Sequence, residues 1–230
     1  MGEMVKIDSS AGTANCYLAV PEDGQGPGIL LLHAWWGLTP FFKQLADRLA
    51  REGFTVLATD LYAGQTADTV EGATALMKQV DDQAGIQHVT AGLDYLLAHP
   101  AVQGKTIGTV SFSMGGAYAT WLSTLRPEII ALVLFYGGFD FYGDYEQEDF
   151  AKQTKAAFLG HLAEHDEYES LDVARELEAA LNAEGKEGNF FVYPGTGHWF
   201  FEDNRRDVYD PECARLAWER TIEFIRSKLS

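Results

Sequence analysis

Apolar residues along the chain gather into short runs separated by longer stretches of mixed polarity. GILLLH at 28–33, FTVLAT at 54–59, KTIGTV at 105–110 and IIALVLFY at 129–136 are such runs, as are AAFLGHLA at 156–163 and NFFVYP at 189–194. Runs of this length predict strands buried on both faces. Between them the spacing becomes helical, with recognisable ends. Thr39 and Pro40 open one helix as N-cap and first-turn proline, Phe41, Phe42, Leu45 and Leu49 share its face, and Gly53 follows its end. Ser170 opens another, which carries Leu171, Ala174, Leu177 and Leu181 and closes at Gly185; AYATWLSTL reads as a helix, and Asp210 and Pro211 open the last one.

Strands alternating with helices imply parallel crossover units, hence an α/β fold with a mostly parallel, doubly wound sheet and helices on both faces. MVKID and ANCYLAV, joined by SSAGT, add an N-terminal hairpin at one edge and bring the sheet to about eight strands. In such a sheet ligands bind beyond the carboxyl ends of the strands, so the residues just after each strand are where chemistry is expected.

Composition narrows the picture. Of 230 residues, 47% are apolar, enough for one sizeable core, and no low-complexity tract, repeat or linker marks a boundary, so residues 1–230 are expected to form one domain. The longest apolar runs are shorter than the roughly 20 residues that a membrane span needs. The start, MGEMVKIDSS, has no apolar signal core and no myristoylation pattern, and Cys16 and Cys213 are too few for a disulfide framework. A cytoplasmic protein with two inert thiols is expected. The formal charge of −17 works against nucleic acid, anionic membranes and strongly anionic substrates.

GTVSFSMGG at 108–116 joins one predicted strand to a helix and holds two serines. A turn sharp enough to lift a hydroxyl above the sheet crowds the residues two before and two after it, which are normally glycine. Ser111 is flanked at those positions by Thr109 and Ser113 and fails on both sides; Ser113 is flanked by Ser111 and Gly115 and fails on one. Ser113 is therefore the candidate nucleophile, and Ser111 fits if the neighbouring strand backs away slightly.

A serine hydroxyl needs a base, and the base a carboxylate to orient it. In this fold the order along the chain is serine, acid, histidine, which excludes His33, His88 and His99. His161 lies inside a predicted strand as a core or edge residue, and His165 would need a carboxylate from elsewhere. His198, after NFFVYP and the turn PGTG, is the expected base. The loop AEHDEYES offers Asp166 as the acid, with Asp140 as the alternative. The two oxyanion donors are expected to be the backbone N–H groups of Met114, after the nucleophile, and Trp35, in the loop HAWWGLTP. Trp35, Trp36, Phe139, Trp199 and Phe200, together with Phe201, Phe141 and Tyr142, are candidates for the walls of an apolar substrate site.

HAWWGL, SFSMGG, EHDEY and YPGTGHWFF, in this order and followed by a helix containing AWERTIEF, resemble the dienelactone hydrolase family of α/β-hydrolases over nearly the whole chain. The resemblance implies the α/β-hydrolase fold, a triad of Ser113, Asp166 and His198, and oxyanion donors at Trp35 and Met114. The family's type members use a cysteine nucleophile, where this chain has serine. Ala34 stands where they place a glutamate that helps activate the thiol, and Glu202 where they place an arginine that holds the substrate's carboxylate. The expected activity is hydrolysis of a neutral or cationic small-molecule ester or lactone, with no metal or organic cofactor, by a monomer or small homo-oligomer. A thioesterase or peptidase on the same triad, or a non-catalytic binding protein with the hydrolase fold, are the alternatives.

Overall fold

Each of the six apolar runs forms a strand. The computed structural model describes residues 2–140, 143 and 145–229. The strands are β1 (Glu3–Ser9), β2 (Gly12–Ala19), β3 (Gly26–Leu32), β4 (Thr55–Thr59), β5 (Val102–Phe112), β6 (Ile129–Phe135), β7 (Ala157–His165) and β8 (Gly188–Gly197). The helices are α1 (Pro40–Arg51), α2 (Val70–Met77), α3 (Asp82–Ala98), α4 (Met114–Leu125), α5 (Gln147–Gln153), α6 (Leu171–Ala183) and α7 (Pro211–Leu229).

Among the described residues the strands make one eight-stranded sheet in the order β1-β2-β4-β3-β5-β6-β7-β8. The β1–β2 hairpin lies antiparallel at one edge, β2 runs antiparallel to β4, and β4 through β8 pair in parallel. This is the α/β-hydrolase fold expected from the sequence.

Alternate residues of the central strands face opposite layers, which is why the runs are apolar throughout. Ile29, Leu31, Val110, Phe112, Val133 and Phe135 meet Phe42, Leu45 and Leu49 of α1 and Trp218, Ile222 and Ile225 of α7. Leu30, Leu32, Ile107, Leu132 and Leu134 meet Val89 and Leu93 of α3, Leu122 of α4 and Leu177 of α6. Each such side chain removed from water contributes about 1.5–3 kcal/mol, so both faces hold the sheet in place.

The start and stop signals fall where expected. Thr39 has the extended backbone of an N-cap and Pro40 the first-turn position, although the Thr39 hydroxyl makes no capping bond; Ser170 caps α6 through the Val173 amide. Gly53 and Gly185 adopt φ of +96° and +69°, past the ends of α1 and α6. Helices α2, α3 and α5 were not expected. The Thr69 hydroxyl caps α2 through the Gly72 amide, and the signals of α3 are the Asp81 carboxylate, which caps the Ala84 amide at 2.9 Å, and the spacing of Ile86, Val89, Leu93 and Leu96. Gly85, His88 and Gly92 interrupt that apolar stripe. Gly92 does so for a packing reason, because a Cβ there would stand 2.9 Å from Thr59 Cγ2 on the sheet.

Candidate active site

β5 ends at Phe112 and α4 begins at Met114, which leaves Ser113 alone in the turn at φ 47° and ψ −119°. A non-glycine residue in such a region costs roughly 1–3 kcal/mol and persists only where its surroundings hold it. Here the Ser113 amide donates to the Phe135 carbonyl at 2.9 Å. The backbone around the turn is packed too tightly for side chains. A Cβ on Gly115 would stand 2.7 Å from the His33 carbonyl oxygen, one on Gly116 2.5 Å from the Gly137 oxygen, and one on Gly137 2.4 Å from Ser113 Cα. Four glycines, 115, 116, 137 and 138, thus let two loops cross where the hydroxyl is lifted out.

Ser111 departs from the expectation that the neighbouring strand backs away. It pairs with Leu32 of β3 and Leu134 of β6 in unbroken register, and the irregularity in the β5–β6 ladder lies at Ile107 and Gly108. The Ser111 hydroxyl is fully buried and donates to the Val133 carbonyl at 2.9 Å, so its polar atom is satisfied by β6.

β7 and β8 bring the other two groups. His198 follows the last residue of β8, and its Nδ1 lies 2.8 Å from both carboxylate oxygens of Asp166, just beyond β7. Asp166 Oδ1 also accepts from the amides of Tyr168 at 2.9 Å and Glu169 at 3.1 Å, which aims the carboxylate. His198 Nε2 lies 2.9 Å from Ser113 Oγ. With Nδ1–H donated to the carboxylate, Nε2 carries the lone pair that faces the hydroxyl, the arrangement a general base requires. Both partners of the His198–Asp166 pair are sheltered from water, with side chains 4% and 2% exposed. Asp140 is exposed, and the carboxylate that meets His198 is that of Asp166.

The other histidines are occupied elsewhere. His161 is buried between the Tyr193 hydroxyl at 2.8 Å and the Thr221 hydroxyl at 3.0 Å, and burial holds its pKa down to about 3. His165 is exposed and pairs with Glu164. His33 accepts the Leu61 amide at Nε2 and donates from Nδ1 to the carbonyl of Ala34, which is itself fully buried.

The end of β3 and the loop after it, which carries Trp35, run close to the start of α4, where Gly115 faces the Leu32 and His33 carbonyls. Neither the Trp35 amide nor the Met114 amide donates to another described residue, and Met114 is the first residue of its helix, where N–H groups lack helical partners. The Trp35 ring stacks on Trp199 at 5.9 Å, and Tyr168 lies 5.5 Å from Trp35 and 5.0 Å from the His198 ring. Tyr168 is 49% exposed and was not singled out from the sequence, although its place two residues after the acid is a signal.

The expected walls divide. Trp35 and Trp199 are half-buried at the site, whereas Phe139 is fully buried against the Phe190 ring and Phe200 between Tyr136 and Tyr193. Trp36 is buried beneath the Arg205 guanidinium, 3.3 Å from its ring centre. These three support the site from within, because the chain turns inward after each strand and carries them into the core. Phe141 and Tyr142 lie outside the described residues. Among the described residues no helix is long and apolar enough to cross a membrane.

A family model described as the dienelactone hydrolase family matches residues 14–229. "Protein usf" of Aquifex pyrophilus is 32% identical over 239 residues, covering all of both chains. A carboxymethylenebutenolidase of Rhodococcus opacus is 26% identical over 225 residues, covering 93% of this chain and 86% of that one. Among solved structures, a dienelactone hydrolase-like promiscuous phosphotriesterase from metagenomic libraries superposes with a TM-score of 0.86 at 19% identity, covering 100% of this chain and 99% of that one, a likeness of fold.

Proposed function

The chain belongs to the dienelactone hydrolase family, and from that premise we propose that it is a serine hydrolase that cleaves a carboxylic ester or lactone through an acyl-enzyme. The observation that carries the reading is the continuous line from Asp166 through His198 to Ser113, with contacts of 2.8 Å and 2.9 Å.

Ser113 Oγ attacks the carbonyl carbon while its proton passes to His198 Nε2, and Asp166 stabilises the imidazolium that forms. The negative charge on the carbonyl oxygen is met by the amides of Trp35 and Met114. One such donor is worth on the order of 10²–10³ in turnover. The imidazolium returns its proton to the departing alkoxide, and the C–O bond to the leaving alcohol breaks. A water then gives a proton to His198 and attacks the acyl carbon, and Ser113 recovers its proton as the acid leaves.

The strained backbone of Ser113 favours this reading over a non-catalytic hydrolase-fold protein, since a binding module has no use for a hydroxyl held at that cost. A neutral or cationic small-molecule substrate suits a chain of net charge −17. We place the enzyme in the cytoplasm, as a monomer or small homo-oligomer without nucleic-acid partners; its two free cysteines are in keeping with that compartment.

A fluorophosphonate probe tests the reading. The expected result is stoichiometric labelling of the folded wild type on Ser113 and turnover of 4-nitrophenyl acetate. A folded wild type that takes no label overturns it.

A further inference from the structure

The residue four positions past His198 is a carboxylate with almost no access to water. Glu202 is 1% exposed; its Oε1 accepts the Tyr136 hydroxyl at 2.9 Å, and its Oε2 has no hydrogen-bond partner among the described residues. Tyr136 is itself fully buried. Its backbone is held at φ 39° just past β6, with its amide bonded to the His161 carbonyl at 2.9 Å. Its ring lies 4.9 Å from the His198 ring. A half-satisfied carboxylate in a core is a cost that packing does not repay. This one stands one side chain away from the base.

We propose that Glu202, acting through Tyr136, is a positioning residue for His198: neutral, it anchors the phenol ring against the imidazole; ionised, it strengthens the imidazole as a base. The inference rests on the reading of Ser113 and His198 as nucleophile and base.

The groups that face this pair set the direction. Tyr136, from the end of β6, and Arg205, one turn further along, favour the ionised carboxylate, while Asp203 opposes it; burial outweighs them all and raises Glu202 to about 8. Tyr136 also feels Asp166, from the loop after β7, and with burial and Glu202 against its ionisation it stays neutral. Arg205 is fixed as a counter-charge by its stacking on Trp36 and its bond to the Asp68 carbonyl at 3.0 Å. As pH rises through about 8, a negative charge therefore appears behind Tyr136. A negative charge there favours the imidazolium that forms as Ser113 attacks, so the attack becomes faster.

The experiment follows the second-order rate of fluorophosphonate labelling at Ser113 from about pH 6 to about pH 10 in wild type, Glu202→Gln and Tyr136→Phe. Glutamine keeps an oxygen for the Tyr136 hydroxyl and cannot ionise; phenylalanine keeps the ring and removes the hydrogen bond that favours the carboxylate. The wild type should show a rise of about threefold to tenfold centred near pH 8. In Glu202→Gln that rise should vanish, and in Tyr136→Phe it should move to higher pH. A labelled wild type with no rise near pH 8, a Glu202→Gln profile that keeps it, or an unmoved rise in Tyr136→Phe overturns the proposal. If Glu202→Gln does not fold, Tyr136→Phe decides. A wild type that never labels instead overturns the serine hydrolase reading.

Discussion

The Ser111 hydroxyl donates to the Val133 carbonyl at 2.9 Å, tying β5 to β6 two residues before the turn that carries Ser113. The side chain at the crowded position is thus a cross-strand link. Ser111→Gly should keep fluorophosphonate labelling and lose about 1–2 kcal/mol of stability, from the lost hydrogen bond and the freer unfolded backbone. Urea unfolding measures the loss. Abolished labelling with unchanged stability would move Ser111 from the strand into the chemistry.

Ser113→Ala should take no label, and its ester turnover should fall by about 10³-fold or more, leaving what the oxyanion donors and binding supply. Asp166→Asn should lower kcat by about 10⁴-fold, since an amide cannot hold the imidazole in the required tautomer. Asp140→Asn, at an exposed loop position, should stay within about twofold of wild type. Steady-state kinetics on one chromogenic ester separates the three, and a large loss on Asp140→Asn would reassign the acid.

Gly137→Ala places a methyl 2.4 Å from Ser113 Cα. The loop after β6 must then move away from the turn, at a cost of about 1–3 kcal/mol or more. Labelling should fall along with the melting temperature, whereas Gly12→Ala, in open space at the β1–β2 turn, should lower stability through its φ of +116° and leave labelling intact. Equal labelling in the two variants would show that the crossing of the two loops does not hold the nucleophile.

Glu202 also makes stability depend on pH. Burial raises its carboxyl from 4.5 to about 8, so the folded state holds a proton that the unfolded chain releases near the ordinary value. The stability this group contributes is fully present below the unfolded pKa and is lost as pH rises through the folded one. Relative to Glu202→Gln, the wild type should lose stability between about pH 4.5 and about pH 8 and change little beyond. The total is of order 2–4 kcal/mol. Denaturant unfolding of both proteins across that range reads the difference, in which constant offsets from the amide cancel. A flat difference would mean that Glu202 titrates normally.

The order of elements was legible because strand and helix periodicities are local. GILLLH and IIALVLFY read as strands with both faces covered, and Pro40, Ser170 and Gly185 mark helix ends by their own backbone chemistry. Helix α3 escaped because Gly92, needed for its close approach to Thr59, breaks the apolar stripe that would have announced it. Side-chain direction was less legible: Phe139 and Phe200 read as pocket walls because they follow strand ends, yet the chain turns them into the core.

Chain order and turn sterics were enough to single out Ser113 and His198 and to narrow the acid to Asp166 or Asp140, because the pattern of glycines around a sharp turn and the loops that follow strands are written in consecutive residues. What only the tertiary structure decided is how groups from different strands meet. The choice of Asp166 over Asp140, the bond from Ser111 to Val133 and the burial of Glu202 against Tyr136 depend on the register and twist of neighbouring strands. Those arise from packing both faces of the sheet at once, and no local stretch of residues encodes them.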